Sequence, residues 1–178
     1  MTTQDATTLE TRSGLHFRVR PATPSDDAAL AAFFEHVSKD DLRFRFLSAI
    51  QKVSPQQIEA MTHIDHRQTE DFVVFAAGGR DIVANAMLAA DKAMVTGEVA
   101  FTVHEDYKGK GLETALLEYV TRAAKAKGLK KLQSIENREN HCTIELERKM
   151  GFKAKSIDGD PMLVLLEASL EQVTPQAA

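Results

Sequence analysis

The residue types and spacing best suited to chemistry lie between Gly97 and Ala115, where the chain reads GEVAFTVHEDYKGKGLETA. Lys108, Gly109, Lys110 and Gly111 stand between a β-rich run, Val99 to Val103, and a helical pattern that begins at Leu112. Glycines at such a junction let the backbone approach a ligand closely. The first amides of the following helix lack partners inside the helix and are free to bind an anion. The pattern predicts a phosphate-binding site.

The rest of the chain limits what that site serves. Its 178 residues, 43% hydrophobic and 27% charged, suit one globular domain with a substantial core. A net charge of −4 and a pI of about 5.9 leave no basic stripe for nucleic acid, so the phosphates are expected on a small molecule. Cys142 is the single cysteine, which rules out an internal disulfide or a cysteine-based zinc site and suits a reducing cytoplasm. The opening MTTQDATTLETRSG has no apolar signal core, and no later run of about 18 apolar residues could span a bilayer. A soluble, cytoplasmic protein with no membrane partner is expected.

The elements that must position the loop follow from periodicity and caps. Residues 1–13 carry little apolar content and read as a frayed tail, with the domain over 14–171 and a second loose tail over 172–178. Leu15, Phe17 and Val19 alternate with polar residues as a half-buried strand. Helices are signalled by Thr23-Pro24-Ser25-Asp26, by Ser38 with Asp40 and Asp41 behind it, and by Ser54-Pro55-Gln56-Gln57. Three strands follow as a meander: Phe72 to Ala77, Ile82 to Ala90 after a glycine turn, and Met94 to His104. After the loop come a helix striped by Leu112, Leu116, Tyr119, Val120 and Ala123, a strand at Leu129 to Ile135, and a helix at Asn140 to Met150. A closing strand pair follows, at Phe152 to Ile157 and Met162 to Leu166. This order predicts a mixed α/β (α+β) fold with a mostly antiparallel sheet of six to seven strands flanked by helices.

The chain resembles the GNAT (general N-acetyltransferase) superfamily. Lys108-Gly109-Lys110-Gly111-Leu112-Glu113 occupies the slot of its Q/R-x-x-G-x-G/A acetyl-CoA signature, and Asn140 to Gly151-Phe152 fits its late Asn…Gly-Phe spacing. A closer likeness, carried by Asp40-Asp41-Leu42-Arg43-Phe44-Arg45-Phe46 and Ile64-Asp65-His66-Arg67, is to the GNAT domains of bacterial protein lysine acetyltransferases that modify acyl-CoA synthetases. That resemblance implies transfer of an acetyl group from acetyl-CoA to a primary amine, with a synthetase lysine as acceptor and no metal. It also implies that Glu98, ten residues ahead of the loop, is the general base. Phe101 and Val103 would offer backbone groups to the pantetheine arm, and Lys108, Gly109, Lys110, Gly111, Leu112, Glu113 and Thr114 would hold the pyrophosphate, with Asn140 completing the cofactor set. Two loop positions depart from the pattern: Lys108 replaces Gln or Arg, and Glu113 replaces Gly or Ala. A carboxylate beside a pyrophosphate repels it, by about 1 kcal/mol at 4 Å in bulk water. Glu113 turned to solvent as a first-turn acid would leave its amide available. The alternative is a catalytically silent GNAT module that binds acyl-CoA or a protein partner. Many family members carry a tyrosine acid four residues before the late glycine, where Glu147 stands here. Monomer and homodimer both remain open.

Other residue types that attract attention read as ordinary. His63 and His66 lack a third ligand, and adjacent His141 and Cys142 point apart on a helix. Arg43 and Arg45 read as solvated charges able to meet an acidic surface. Lys125, Lys127, Lys130 and Lys131 read as a solvated face near the expected 3′-phosphate.

Overall fold

Residues 6–171 are described by the structure, a computed structural model. Eight strands form one sheet: β1 (Thr7–Glu10), β2 (His16–Pro21), β3 (Thr69–Ala76), β4 (Ile82–Ala90), β5 (Thr96–Val103), β6 (Lys131–Asn137), β7 (Lys153–Ile157) and β8 (Asp160–Ser169). Their spatial order is β1-β2-β3-β4-β5-β6-β8-β7, and only β5 and β6 run parallel. That pair is joined by α4 (Leu112–Ala126), the kind of crossover that parallel neighbours require. The other helices are α1 (Asp27–Phe34), α2 (Lys39–Phe46), α3 (Pro55–Thr62) and α5 (His141–Lys149).

The helix starts obey the cap chemistry of the sequence. The Ser38 hydroxyl accepts the Asp41 amide at 3.1 Å, and Ser54 and Gln57 complete a reciprocal capping box around Pro55. Thr23 and Asp26 form the same box on a single 3-10 turn ahead of α1. Gly128, at φ +82°, follows the end of α4 in the left-handed region.

Two cores lie on opposite faces of the sheet. One packs α1, α2 and α3 against Val73, Phe75 and Ile82. The other packs Leu112, Leu116, Leu117, Val120 and Ala124 of α4, with Ile144 and Leu146 of α5, against Phe72, Val74, Leu88, Val99 and Leu132. Each of those α4 side chains is fully buried, and burial of a leucine or valine contributes about 1.5–3 kcal/mol. The helix that carries the glycine loop is therefore fixed by packing along its whole length.

The reading of residues 1–13 as a tail is corrected in part. Thr7–Glu10 pairs antiparallel with β2, from Thr7↔Val19 to Glu10↔His16, and Leu9 enters the core at 2% exposure. Four residues with one apolar side chain cannot order themselves; the free edge of β2 does it for them. This strand also raises the sheet from the expected six or seven strands to eight. Residues 1–5 and the expected tail over 172–178 lie outside the described residues.

Candidate active site

The cleft exists because β5 and β6 share only three rungs, Thr96↔Lys131, Gly97↔Leu132 and Glu98↔Gln133. Beyond Glu98, β5 stays on β4 and β6 stays on β8, so the two strands part. The gap opens into a cavity of about 690 Å³, with Ala100, Phe101, Thr102 and Val103 on one wall and Ile135, Glu136 and the start of α5 on the other. The glycine loop closes one end, and Asp41, Phe44 and Arg45 of α2 cross the mouth. Past the last shared rung, β5 offers an unpaired backbone edge to an extended ligand, which could add as a strand.

The loop has the backbone its sequence demands. Gly109 at φ +70° and Gly111 at φ +87° are both left-handed, a region in which side chains are strained. Gly111 is the N-cap of α4 and supplies no capping side chain. The Gly109 amide donates to Glu113 Oε1 at 3.0 Å, so a carboxylate already rests on the loop as an oxyanion would. Glu113 is thus folded back over the loop rather than turned to solvent. Lys108 Nζ donates to Asp41 Oδ2 at 2.6 Å. Both contacts are exposed, so each can be exchanged for a phosphate oxygen by rotation of a side chain. The loop has the donors a pyrophosphate would need in the Gly109 amide, the first amides of α4 and the Lys108 ammonium.

A second polar group lies deeper. Asp71, Asn85, Ala100 and Thr102 share one face of the sheet through the rungs Asp71↔Met87, Asn85↔Thr102 and Met87↔Ala100, and Glu98 continues that face. Arg45 reaches over it from α2 with its Nε buried and unpartnered, and its Nη2 lies 3.9 Å from Met61 Sδ. Burial pulls the Arg45 guanidinium below its ordinary value, against the opposing pull of Asp71, Glu136 and Glu98. Asp71 is fully buried, and that burial pushes its carboxyl well up although Arg45 and an Asn85 hydrogen bond oppose the shift. On the cleft's other wall Glu136 accepts Asn140 Nδ2 at 2.9 Å. Burial drives its carboxyl up to about 7. Glu147 behind it is fully buried and is driven up to about 8, by burial first and by Glu136 second.

Of the residues singled out from sequence, the cleft gathers Phe101, Val103, Lys108, Gly109, Gly111, Glu113, Thr114 and Asn140. Lys110 faces elsewhere, above the Tyr107 ring and into a shallower pocket with Arg12 and Glu118. The Leu112 side chain is entirely in the core, so only its backbone can serve a ligand. Glu98 is half-buried at the last shared rung and is not among the cleft-lining residues; it meets the cleft electrostatically through Arg45. The Asn140 amide is committed to Glu136.

The ordinary readings sort similarly. His63 pairs with Asp27 at 3.1 Å and His66 with Glu70 at 2.5 Å. Lys127 donates to the carbonyls of His66 and Arg67, and Lys131 pairs with Glu167. Arg43 binds Glu139 at 2.7 Å across the cleft mouth. Cys142 is exposed at the cleft's rim. Sequence reasoning missed Arg45, Asp71, Glu136 and Glu147 as site residues. The available signal was an acid, Glu147, three residues after Ile144 on the apolar side of α5.

Residues 33–152 match the sequence profile of the Acetyltransferase (GNAT) family. An acetyltransferase of Pseudomonas aeruginosa is 26% identical over 159 residues, 88% of this chain and 86% of that protein. Among solved structures, the GNAT domain of S. lividans PAT superposes with a TM-score of 0.84 at 24% identity, covering 92% of this chain and 96% of that one. Spermidine N-acetyltransferase from Vibrio cholerae, solved with CoA and spermine, gives a TM-score of 0.71 at 16% identity, covering 88% and 97%. These two structural likenesses establish the fold.

Proposed function

The chain belongs to the acetyltransferase (GNAT) family, whose members acetylate amines with acetyl-CoA, and from that premise we propose that its acceptor is a protein lysine and that Glu98 is the general base. The observation that carries this reading is the parting of β5 from β6 at Glu98, with the glycine loop at the far end of the gap. Acetyl-CoA supplies the thioester whose acyl carbon the amine attacks. The loop amides and Lys108 hold the phosphates, and the β5 edge from Ala100 to Val103 aligns the extended arm and polarises the acyl oxygen.

A lysine ammonium, with a reference pKa near ~10.4, must lose a proton before it can attack. Glu98 stands on the sheet face that α2 covers, beside the cleft, and takes that proton through a water. Arg45 lies within electrostatic reach of Glu98 and Asp71 on this face, without an ion pair closer than 4 Å among the described residues. An open mouth spanned by two exposed ion pairs, Lys108–Asp41 and Arg43–Glu139, suits a long side chain presented by a protein. Lysines of acyl-CoA synthetases are the proposed acceptors, by resemblance, and the cytoplasm is the proposed location. Among the described residues no helix is long and apolar enough to cross a membrane. The acetyltransferase domain is proposed to span residues 7–171, β1 included.

Glu98→Gln tests the assignment. Turnover with a synthetase or a lysine peptide should fall by about 10²–10⁴-fold while acetyl-CoA affinity changes less than roughly twofold. Unchanged turnover removes Glu98 as base. Acetylation of polyamines but of no lysine peptide removes the protein acceptor.

A further inference from the structure

The cleft wall formed by β6 contains a pair of acids that base catalysis does not use. Ser134 and Glu136 alternate on β6 and face α5, whose last turn presents Glu147. The Ser134 hydroxyl donates to Glu147 Oε2 at 2.7 Å, and Asn140 donates to Glu136 Oε2 at 2.9 Å. Glu147 is fully buried and its Oε1 has no hydrogen-bond partner, while Glu136 is 8% exposed and lines the cleft. Neither carboxyl forms an ion pair among the described residues. The charged and titratable groups around them are Arg45 from α2, which Glu136 feels at a distance, and Glu139, His141 and Cys142 at the cleft's rim.

Two neighbouring buried carboxylates with no cation in contact cannot both ionise cheaply. We propose that Glu136 and Glu147 retain a proton between them and deliver it, through Glu136, to the sulfur that leaves when the acyl group is transferred. This rests on the reading of the cleft as the acyl-donor channel, in which the unpaired edge of β5 faces Glu136 across the gap. As the carbon–sulfur bond breaks, sulfur keeps the electron pair and takes the proton from the Glu136 carboxyl, giving a free thiol. Glu147 shares its proton with Glu136, and the pair is reprotonated from solvent through Glu136, the member that lines the cleft. Glu98 meanwhile passes to solvent the proton whose loss makes the ammonium a free amine and then the one nitrogen sheds as the amide forms; with one proton taken back from solvent by the acid pair, one proton is released overall. The upward displacement of both carboxyls accords with the pair's burial.

The test has two arms. Infrared spectra of the protein without acetyl-CoA, titrated from pH 5 to 9, should show protonated-carboxyl absorbance persisting at neutral pH. Asp71 contributes its own signal, so the part that counts is the part lost in Glu136→Gln and in Glu147→Gln. If neither variant folds, the same titration of the Asp71→Asn protein decides. Loss of all such absorbance below about pH 6 overturns the proposal.

In the kinetic arm, Glu136→Gln should lower kcat by roughly tenfold or more and remove the alkaline limb of its pH profile, while acetyl-CoA still binds within about twofold of wild type. A fall in kcat with the limb retained, or parallel losses of binding and turnover, assigns the pair a structural role and overturns proton delivery. A wild type that releases no thiol with any acceptor instead removes the donor-channel reading. The infrared result then still stands on its own.

Discussion

Glu113→Gln should tighten acetyl-CoA binding. The wild-type carboxylate takes the Gly109 amide at 3.0 Å, the donor a pyrophosphate oxygen would want. A phosphate placed there would lie within about 4 Å of the carboxylate, where repulsion is ~1 kcal/mol in water and ~4 kcal/mol at an effective dielectric constant of 20. Glu113 is partly exposed, so the lower figure governs, and relief of about 1 kcal/mol corresponds to roughly fivefold in Kd. Glutamine keeps an oxygen for Gly109 and the shape of the loop, so charge is the only large change.

The same substitution removes an acid from the first turn of α4, which costs about 0.3–1 kcal/mol through the helix dipole. The free protein should therefore melt about 1–4 °C lower. Calorimetric titration at low and high salt is the assay, since the gap between variant and wild type should narrow as salt screens the repulsion. An affinity unchanged or weakened in the variant, together with an unchanged melting temperature, would refute competition between Glu113 and the cofactor.

Asp41→Asn should also strengthen acetyl-CoA binding and steepen its salt dependence, because it releases Lys108 from its 2.6 Å partner; calorimetry at two salt concentrations checks it. Gly97→Ala should destabilise the protein by about 1–3 kcal/mol in denaturant unfolding, since the new methyl would meet Leu88 Cδ1 and Leu129 Cδ1 at 2.8 Å inside the core. Its turnover should fall as well, because the overpacking shifts the rung beside Glu98. Stability should decline with rising pH between the ordinary carboxyl value near 4.5 and the values of about 7 and 8 in the folded state, because Glu136 and Glu147 hold protons there that the unfolded chain has lost. The slope is about −1.4 kcal/mol per pH unit for each proton held, and Glu147→Gln should flatten it. Urea melts across pH 5 to 9 would measure it, and a stability that rises through this range would contradict the assignment.

What the sequence made legible was what local chemistry dictates. Ser38 and Ser54 announce their helices because a hydroxyl satisfying a free amide is a short-range device. Gly109 and Gly111 mark the loop because only glycine takes their backbone angles without strain. β1 was hidden because its order comes from a partner strand and not from its own four residues. Arg45 and Asp71 were hidden because charge normally signals exposure, and only the third dimension shows a guanidinium and a carboxyl buried within electrostatic reach of each other beneath α2. Glu147 was visible as a departure from the family pattern, but its neighbour Glu136 lies on a different element, eleven positions away, and no periodicity joins them.

The short strand at the front of the chain matters for handling the protein. Thr11, just after β1, lies against Gly111, close enough that a methyl there would touch its Cβ at 3.4 Å. Trimming the chain to residue 14 would strip away this backstop and leave β2 as a bare edge open to strand-by-strand association. Truncated preparations would then report weak cofactor affinity and aggregation as if they belonged to the enzyme.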